Sequence, residues 1–363
     1  MNVLRFTMTF SVCVLFCCLD FCEGGNPGPE QLAAAAPGGP TVERFSFREK
    51  LMGVPCDIAL YAPSEGVAIT ASRGAFDRIK ILNSLFSDYE PESELMQFSR
   101  TSGQRRNVAL SPELFEILQE SQNWSRETEG AFDVTVGPLV QLWRKTRRQK
   151  QLPPAEVLQG ARARCGFQAL KLDAQQRTGE LTLPKMQLDL GGIAKGYAAQ
   201  AAIDELKKQG ITRALVAMAG DIVASDPPPG KDAWRVGIGR FDEPEAEPDR
   251  FLKIKNQAVS TSGDAFQVVV IDGTRYAHII DPKTGLGLPY TCSVTVIAPQ
   301  GSTADALGTA LSIMPVDQGL KLVAKHPGVE ALIIRREGER TRESASPGFG
   351  KYLTGDSRGM GMR

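Results

Sequence analysis

A glycine pair followed by a lysine gives the clearest chemical signal in the sequence. Residues 189–197 read Asp-Leu-Gly-Gly-Ile-Ala-Lys-Gly-Tyr, between a short apolar segment and a helical pattern. Glycines let the backbone approach an anion closely, and a helix start offers free N–H groups and the positive end of its dipole. Lys195 adds a point charge that suits a phosphate. The pattern predicts a pyrophosphate site, although a tight strand–helix turn with an exposed lysine would look the same. The spacing fits neither the dinucleotide-binding glycine motif nor the Walker loop.

A carboxylate and a hydroxyl share one face of another predicted helix. Asp305 and Thr309 stand four residues apart in the stretch 302–311, so on a helix they are neighbours. Both are hard oxygen ligands of the kind that Mg²⁺ takes, with substrate phosphates completing its shell. Alternatively, Asp305 supports the helix dipole and Thr309 bonds back to its own helix.

A histidine stands in an organised stretch near the end of a predicted strand. His278 precedes an Asp-Pro-Lys-Thr-Gly turn at 281–285, a typical turn composition. A histidine can act as a general base near neutral pH. Alternatively, it is a structural histidine bonded to the backbone. We interpret the only other histidine, His326, as incidental because it precedes Pro327 at a predicted helix exit.

The loop at 129–139 combines an aromatic residue with a carboxylate. It reads Glu-Gly-Ala-Phe-Asp-Val-Thr-Val-Gly-Pro-Leu and lies between a predicted helix and Trp143. Such a loop can hold a flat heterocycle, and it can equally be a packed turn.

The elements that must position these residues mix helices and strands along the chain. Apolar periodicity and capping residues predict helices at 72–86, 111–128, 193–209, 303–313 and 317–325. Strand patterns lie at 52–61, 186–190, 214–219, 234–239, 265–271, 291–298 and 330–334. No internal repeat is present, and the mixture predicts an α+β or mixed α/β class in one domain.

The ends of the chain differ in composition from its body. Arg5 precedes an uncharged apolar run at 6–19, which is short for a bilayer span and typical of a secretion signal. A buried strand or helix is the alternative. We predict a signal or membrane-anchoring leader at 1–22, a Pro/Gly/Ala-rich tether at 23–42, the folded domain at 43–340 and a disordered tail at 341–363.

Charge and cysteine content exclude several function classes. Lys plus Arg is 42 and Asp plus Glu is 42, so the balance gives no reason to expect nucleic acid or an anionic membrane surface as a partner. We interpret the basic run at 144–148 as a solvated helix end. The body holds only Cys56, Cys165 and Cys292, from which neither a disulfide framework nor a zinc site can be predicted.

Together, these segments resemble the FAD:protein FMN transferases, the family often called ApbE. Its recurring blocks occur here in order and span about residues 45–335, nearly all of the predicted mature chain. They are residues 52–54, 86–95, 130–139, 189–197, 259–264, 278–285 and 304–310.

The resemblance implies one compact α+β domain, with mixed β-sheets flanked by helices and FAD in a cleft. It implies that Mg²⁺ is bound by Asp305, Thr309 and the backbone carbonyl of Gly192. His278 resembles the histidine assigned to catalysis, with Asp305 and Lys195 also in the catalytic set. The residues implied to contact FAD are Met52, Tyr89, Ala131, Phe132, Asp133, Asp189, Lys195 and Ile279.

The implied reaction transfers FMN from FAD to a serine or threonine hydroxyl of an acceptor protein and releases AMP. Such a transfer needs charge neutralisation and positioning more than a covalent enzyme intermediate. The family also suggests an acceptor on a membrane redox subunit. With the leader, this predicts an exported, periplasmic enzyme, with anchoring to the inner membrane left open.

Two segments depart from the family pattern. The loop at 217–221 reads Ala-Met-Ala-Gly-Asp where members often have Asn-x-Gly-Gly-Asp, which weakens any role for it. The turn at 285–289 is longer than usual, which can reshape the entrance for the acceptor.

Three other functions compete with the transferase. An FAD pyrophosphatase would use the same metal site with water as the acceptor. A non-catalytic exported protein would bind FAD and release no AMP. A serine hydrolase built on the stretch 260–263 lacks the nucleophile elbow that such enzymes carry.

Overall fold

The chain folds around an eight-stranded antiparallel sheet within residues 41–243, 245–263 and 268–354, the parts that the computed structural model describes. The strands are β1 (Glu43–Leu51), β2 (Val54–Ala62), β3 (Val108–Ala109), β4 (Leu170–Asp173), β5 (Thr178–Leu181), β6 (Ala214–Met218), β7 (Asp221–Ala224), β8 (Trp234–Ile238), β9 (Arg250–Ile254), β10 (Gln257–Gly263), β11 (Val268–Ile271), β12 (Thr274–Ala277), β13 (Thr291–Ala298), β14 (Glu330–Glu337), β15 (Arg340–Ala345) and β16 (Leu353–Thr354). The helices are α1 (Glu65–Phe86), α2 (Glu94–Ser99), α3 (Pro112–Glu127), α4 (Gly137–Gln149), α5 (Ala155–Arg162), α6 (Ala194–Lys208), α7 (Gly301–Ile313) and α8 (Val316–Val323).

The main sheet has the order β1-β2-β6-β7-β10-β13-β14-β15 and is covered on both faces. Helices α1, α6 and α7 pack on one face, where Ile58, Val216 and Val296 join the larger hydrophobic core. The three-stranded sheet β16-β9-β8 lies on the other face, where Leu215 and Ile297 meet its apolar side chains. A strand that is buried on both faces needs a continuous apolar sequence, which explains why all of β6 is buried.

A smaller layer beside this sandwich carries the stretch that leads to His278. The hairpin of β11 and β12 packs on α4 and α5 through a separate apolar cluster that includes Trp143. The Trp143 indole Nε1 donates to the Ala277 carbonyl at 3.0 Å. A buried hydrogen bond of this kind fixes the end of β12 relative to α4.

Local sequence signals account for the helices that were predicted well. α3 begins after Ser111, whose side chain accepts from the Leu114 N–H, and it has Pro112 in its first turn, as such caps favour. α6 ends before Gly210, which has a φ of +83° and so tolerates the left-handed conformation of a helix end. The predicted α+β class is confirmed, as is the strand at 291–298.

Two predicted strands differ from the structure. The strand predicted at 52–61 begins only at Val54, because Met52 and Gly53 form the turn between β1 and β2. The segment 186–190 is not a ladder strand: it has one isolated bridge, at Gln187. Its backbone instead bonds to the Ser102 and Ser99 hydroxyls and to the Val134 carbonyl, so its apolar alternation reflects burial without sheet pairing.

The prediction of a disordered tail from 341 onward is wrong for residues 341–354. β15 pairs with β14 along the edge of the main sheet, and Phe349 is fully buried in the second core. The polar composition of β15 misled the prediction, because an edge strand exposes most of its side chains. The predicted leader at 1–22, most of the tether, the start of the strand pattern at 265–271 and the tail beyond 354 lie outside the described residues.

Candidate active site

The N-terminal ends of α6 and α7 meet at one point and form the centre of the site. A Cβ atom placed on Gly196 would lie 2.1 Å from the Gly301 carbonyl oxygen, and one on Gly301 would lie equally close to the Gly196 oxygen. Only residues without side chains allow this approach. The α3 residue Glu120 accepts a hydrogen bond from the Ser302 hydroxyl at 2.7 Å and so holds the first turn of α7. Because helix N-termini carry partial positive charge, their convergence favours an anion here.

A lysine stands between two buried carboxylates at this crossing. The Lys195 Nζ lies 2.9 Å from Asp221 Oδ2 and 3.4 Å from Asp305 Oδ2, and it donates to the Gly191 carbonyl at 3.3 Å. Asp305 Oδ2 also accepts from the Gly196 N–H at 3.1 Å. The structure therefore brings Lys195, which was predicted to bind a pyrophosphate, into contact with Asp305, which was predicted to bind Mg²⁺.

Burial and charge act in opposite directions in this cluster. Burial disfavours the Lys195 charge, but the Asp221 and Asp305 carboxylates outweigh it and raise the pKa of the lysine. Burial and the Asp221 charge raise the pKa of Asp305, while Lys195 opposes them. A cation that joined this site would favour the ionised form of Asp305.

The three residues implied as magnesium ligands lie together. A Cβ on Gly192 would be 2.8 Å from Thr309 Oγ1, and Thr309 stands one turn after Asp305 on α7. This close backbone approach gives one carboxylate, one hydroxyl and the nearby glycine carbonyl, a hard-oxygen set that fits Mg²⁺ with its remaining positions filled by water or phosphate. No group of three or more His, Cys, Asp or Glu side chains in the described part of the chain is spaced to hold a metal.

His278 lies within electrostatic reach of this cluster. Burial, with a further contribution from the positive charges of Arg147 and Lys195, lowers the pKa of His278 to about 4. Its Nδ1 is buried and has no hydrogen-bond partner among the described residues. The imidazole is therefore neutral at pH 7.

The loop at 131–133 contacts Gly192, one of the residues implied as magnesium ligands. Phe132 Cε2 is 3.4 Å from a Cβ placed on Gly192. Asp133 Oδ1 accepts from the Thr135 N–H and hydroxyl, each at 2.7 Å, and its Oδ2 accepts from the Phe167 N–H at 3.0 Å. The Asp133 carboxylate thus shapes the loop.

Two clefts are lined by residues of the same loop. Ala131 lines one of about 370 Å³, together with Asp281 and Met314. Asp133 lines another of about 400 Å³, together with Arg162 and Pro282. The turn at 281–285 therefore contributes residues to both clefts.

An arginine of α4 links two residues implied to contact FAD. The Arg144 guanidinium donates to Asp88 Oδ2 at 2.6 Å and to Asp189 Oδ2 at 3.4 Å, and its Cζ lies 4.2 Å from the centre of the Tyr89 ring. Burial and the neighbouring Asp88 raise the pKa of Asp189, whose Oδ1 accepts from the Gly191 N–H at 2.8 Å. Tyr89 itself is 72% exposed, so its ring face remains accessible.

The positions of Met52 and Ile279 are known from strand pairing and from apolar packing. Met52 lies in the β1–β2 turn, and the pairing of Cys56 with Met218 puts that turn at the same end of the sheet as Asp221. Ile279 is buried in a small cluster with Leu288 and Cys292. Their contacts are with apolar neighbours, and their contact with FAD stays a prediction.

Two residues of the site, Asp221 and Arg144, were not predicted from the sequence. The departure of the loop at 217–221 from the family pattern suggested a weakened role, yet Asp221 is the nearer carboxylate to Lys195. The interpretation of the run at 144–148 as solvated is wrong for Arg144 but holds for the exposed Lys145 and Arg148. The available signal for Asp221 was its place as the single charged residue in the apolar stretch 214–224, because a buried charge needs a charged partner or a metal.

Comparisons with known proteins point to one family. The family model described as "ApbE family" matches residues 52–333. An FAD:protein FMN transferase of Vibrio cholerae serotype O1 is 32% identical over 317 residues, which cover 86% of this chain and 93% of the relative. One of Escherichia coli K12 is 31% identical over 277 residues, which cover 75% and 78%.

Solved structures agree with the sequence relatives. The flavin transferase ApbE from Vibrio cholerae matches with a TM-score of 0.77 at 29% identity, covering 86% of this chain and all of that chain. The Pseudomonas stutzeri flavinyl transferase ApbE in its apo form matches with a TM-score of 0.75 at 28% identity, covering 86% and 97%.

Proposed function

The chain belongs to the ApbE family, and from this premise we propose that it transfers FMN from FAD to a serine or threonine hydroxyl of an acceptor protein. The product is a phosphodiester, and AMP is released. The observation that carries the proposal is the meeting of two helix N-termini, Lys195 and Asp305 beside the close approach of Gly192 to Thr309. That arrangement suits a pyrophosphate and an oxygen-ligated cation.

We propose that Asp305, Thr309 and the Gly192 carbonyl hold Mg²⁺ next to the pyrophosphate. When bound, the ion supplies positive charge against the phosphate oxygens. Lys195 and the N-terminus of α6 contribute further positive charge from the protein itself. Positioning of this kind can supply most of the catalysis in phosphoryl-type transfers.

The surrounding residues would hold the rest of FAD. The exposed ring of Tyr89, backed by Arg144, offers a flat surface for a heterocycle. Met52, Ala131, Phe132, Asp133, Asp189 and Ile279 complete the proposed FAD contacts. Because the Asp133 carboxylate is occupied by three donors, Asp133 would contribute through the loop that it shapes.

The proposed reaction is a displacement at phosphorus. The acceptor oxygen forms a bond to the phosphorus on the riboflavin side, the bond from that phosphorus to the bridging oxygen breaks, and AMP leaves with that oxygen. The hydroxyl proton passes to a ring nitrogen of His278, which is neutral at pH 7. Because the pKa of His278 is low, the imidazole is a weak base. It accepts the hydroxyl proton only when the bond between the acceptor oxygen and phosphorus is already forming.

We also propose where the protein works and on what. The uncharged apolar run at 6–19 favours export, and the proposed location of the enzyme is the periplasm. The acceptor would be a membrane redox subunit that carries a flavinylation Ser/Thr motif. The structure describes no helix long and apolar enough to cross a membrane in residues 41–243, 245–263 and 268–354.

The test mixes the full chain, FAD, Mg²⁺ and candidate redox subunits, and follows in-gel flavin fluorescence and AMP. A fluorescent acceptor band that survives denaturation, with equal moles of AMP, is the expected result. Asp305→Ala should abolish it, whereas Asp317→Ala, an exposed carboxylate on α8, should not. AMP without labelled acceptor from any candidate would favour the pyrophosphatase, and bound FAD without AMP would refute turnover.

A further inference from the structure

Asp221 is the closer of the two carboxylates that Lys195 contacts. It lies 2.9 Å from the ammonium, against 3.4 Å for Asp305. It is 4% exposed, and its other oxygen accepts a hydrogen bond from the Ser260 hydroxyl at 2.6 Å. A short hydrogen bond to a buried carboxylate fixes its orientation.

The backbone around Asp221 is held firmly by the main sheet. Asp221 is the first residue of β7 and pairs directly with Ser260 of β10. The Thr261 N–H donates to the Gly220 carbonyl at 2.9 Å, and a Cβ on Gly220 would lie 2.5 Å from the Thr261 oxygen. Asp305, in contrast, projects from α7. The lysine therefore joins a carboxylate fixed on the sheet to one on a helix.

Asp221 changes the charge balance of the cluster that it forms with Lys195 and Asp305. When both carboxylates are ionised, they and the one ammonium leave one negative charge in the cluster. Without Asp221, Lys195 and Asp305 would form a neutral pair, and the ammonium would compete with any cation for the Asp305 oxygens. With Asp221 as a second partner, the ammonium is compensated from the sheet. The Asp305 carboxylate can then serve a cation without leaving an unpaired buried lysine, which would be costly.

We propose that Asp221, oriented by Ser260, is a positioning residue that retains the Lys195 ammonium on the main sheet and so leaves the Asp305 carboxylate available to Mg²⁺. The inference rests on the proposed function, because it takes Mg²⁺ as the cation at Asp305. It assigns Asp221 no contact with the metal or with FAD. Its effect is exerted through Lys195, and it therefore disappears when the lysine charge is absent.

The test measures Mg²⁺ binding to the full chain by calorimetry, without FAD or acceptor. Asp221→Asn should weaken binding at least about tenfold, because the ammonium then rests on Asp305 alone. Ser260→Ala should act in the same direction by a smaller factor. Asp232→Asn, which removes an exposed carboxylate of a surface loop, is the matched control and should bind as the unmodified chain does.

Removal of the lysine charge separates this role from that of a ligand. Lys195→Met should bind Mg²⁺ at least as tightly as the unmodified chain, and adding Asp221→Asn to it should change binding by less than about threefold, since the coupled sites share one partner. An equal loss from Asp221→Asn in both backgrounds would show that Asp221 acts as a ligand or as a bare charge, and would overturn the inference.

Two further outcomes also refute the idea. If the unmodified chain binds Mg²⁺ and Asp221→Asn binds it equally well, the inference fails while the proposed function stands. If the unmodified chain binds no Mg²⁺, the magnesium part of the proposed function fails and takes the inference with it. If circular dichroism shows that Asp221→Asn does not fold, Ser260→Ala replaces it. Its effect on Mg²⁺ binding is then compared between the unmodified chain and the Lys195→Met background.

Discussion

The crossing of α6 and α7 makes Gly196→Ala the sharpest test of the site's architecture. The new Cβ would lie 2.1 Å from the Gly301 oxygen, 2.6 Å from its carbonyl carbon and 2.9 Å from the Asp305 Cβ. All three are held by helix backbone, so no flexible side chain can move aside. Carbon atoms pack best at about 3.5–4.0 Å, so the helices must separate by more than about 1 Å.

The expected cost follows from this separation. Overpacking of a core costs about 1–3 kcal/mol, and the value here should lie at the upper end because two backbones must move. A second effect is local: Asp305 would shift relative to the Gly196 N–H that it accepts from at 3.1 Å. The substitution should therefore reduce both the free energy of unfolding and the affinity for Mg²⁺.

Urea unfolding of matched variants provides the measurement. Gly160→Ala is the control, because Gly160 lies in a helix and, apart from its chain neighbours and its own helix backbone, no atom lies within 4 Å of its Cβ position. An alanine there should stabilise the protein by about 0.5–1 kcal/mol. Gly301→Ala should behave like Gly196→Ala. If Gly196→Ala were as stable as Gly160→Ala, the close crossing, and with it the geometry of the site, would be refuted.

Three further predictions concern His278, Arg144 and Trp143. The NMR signal of the His278 imidazole, assigned with His326→Ala, should titrate near pH 4, and a midpoint near the ordinary value of about 6.5 would contradict its burial. Because the folded state then binds this proton less readily than the unfolded state, stability should fall as pH falls from about 6.5 to 4. Arg144→Lys keeps the charge but loses the planar fork and the ring contact, so FAD should bind about 5–30-fold more weakly in a fluorescence titration, whereas the exposed Lys145→Ala should have no effect. Trp143→Phe removes the indole hydrogen bond to the end of β12 and should lower the free energy of unfolding by about 1 kcal/mol in urea, with no change in the pH midpoint of the histidine.

The sequence determined the local parts of the site. Asp305 and Thr309 share a face because helix geometry places residues four apart together, and the glycine pair before Lys195 fixed the start of α6 to within one residue. The cap at Ser111 likewise placed α3. These features depend on neighbours in the chain, so local composition is sufficient to predict them.

The tertiary structure alone decided which of these local parts meet. Asp221 reaches Lys195 for two reasons. The register of β7 with β10 sets the position of Asp221 along the strand direction, and two glycines let α6 and α7 touch. Arg144 pairs with Asp88 and Asp189 across segments that are distant in sequence. Contacts of this kind depend on sheet register and helix crossing, which are set by packing over the whole core. They therefore cannot be predicted from a local pattern of residue types.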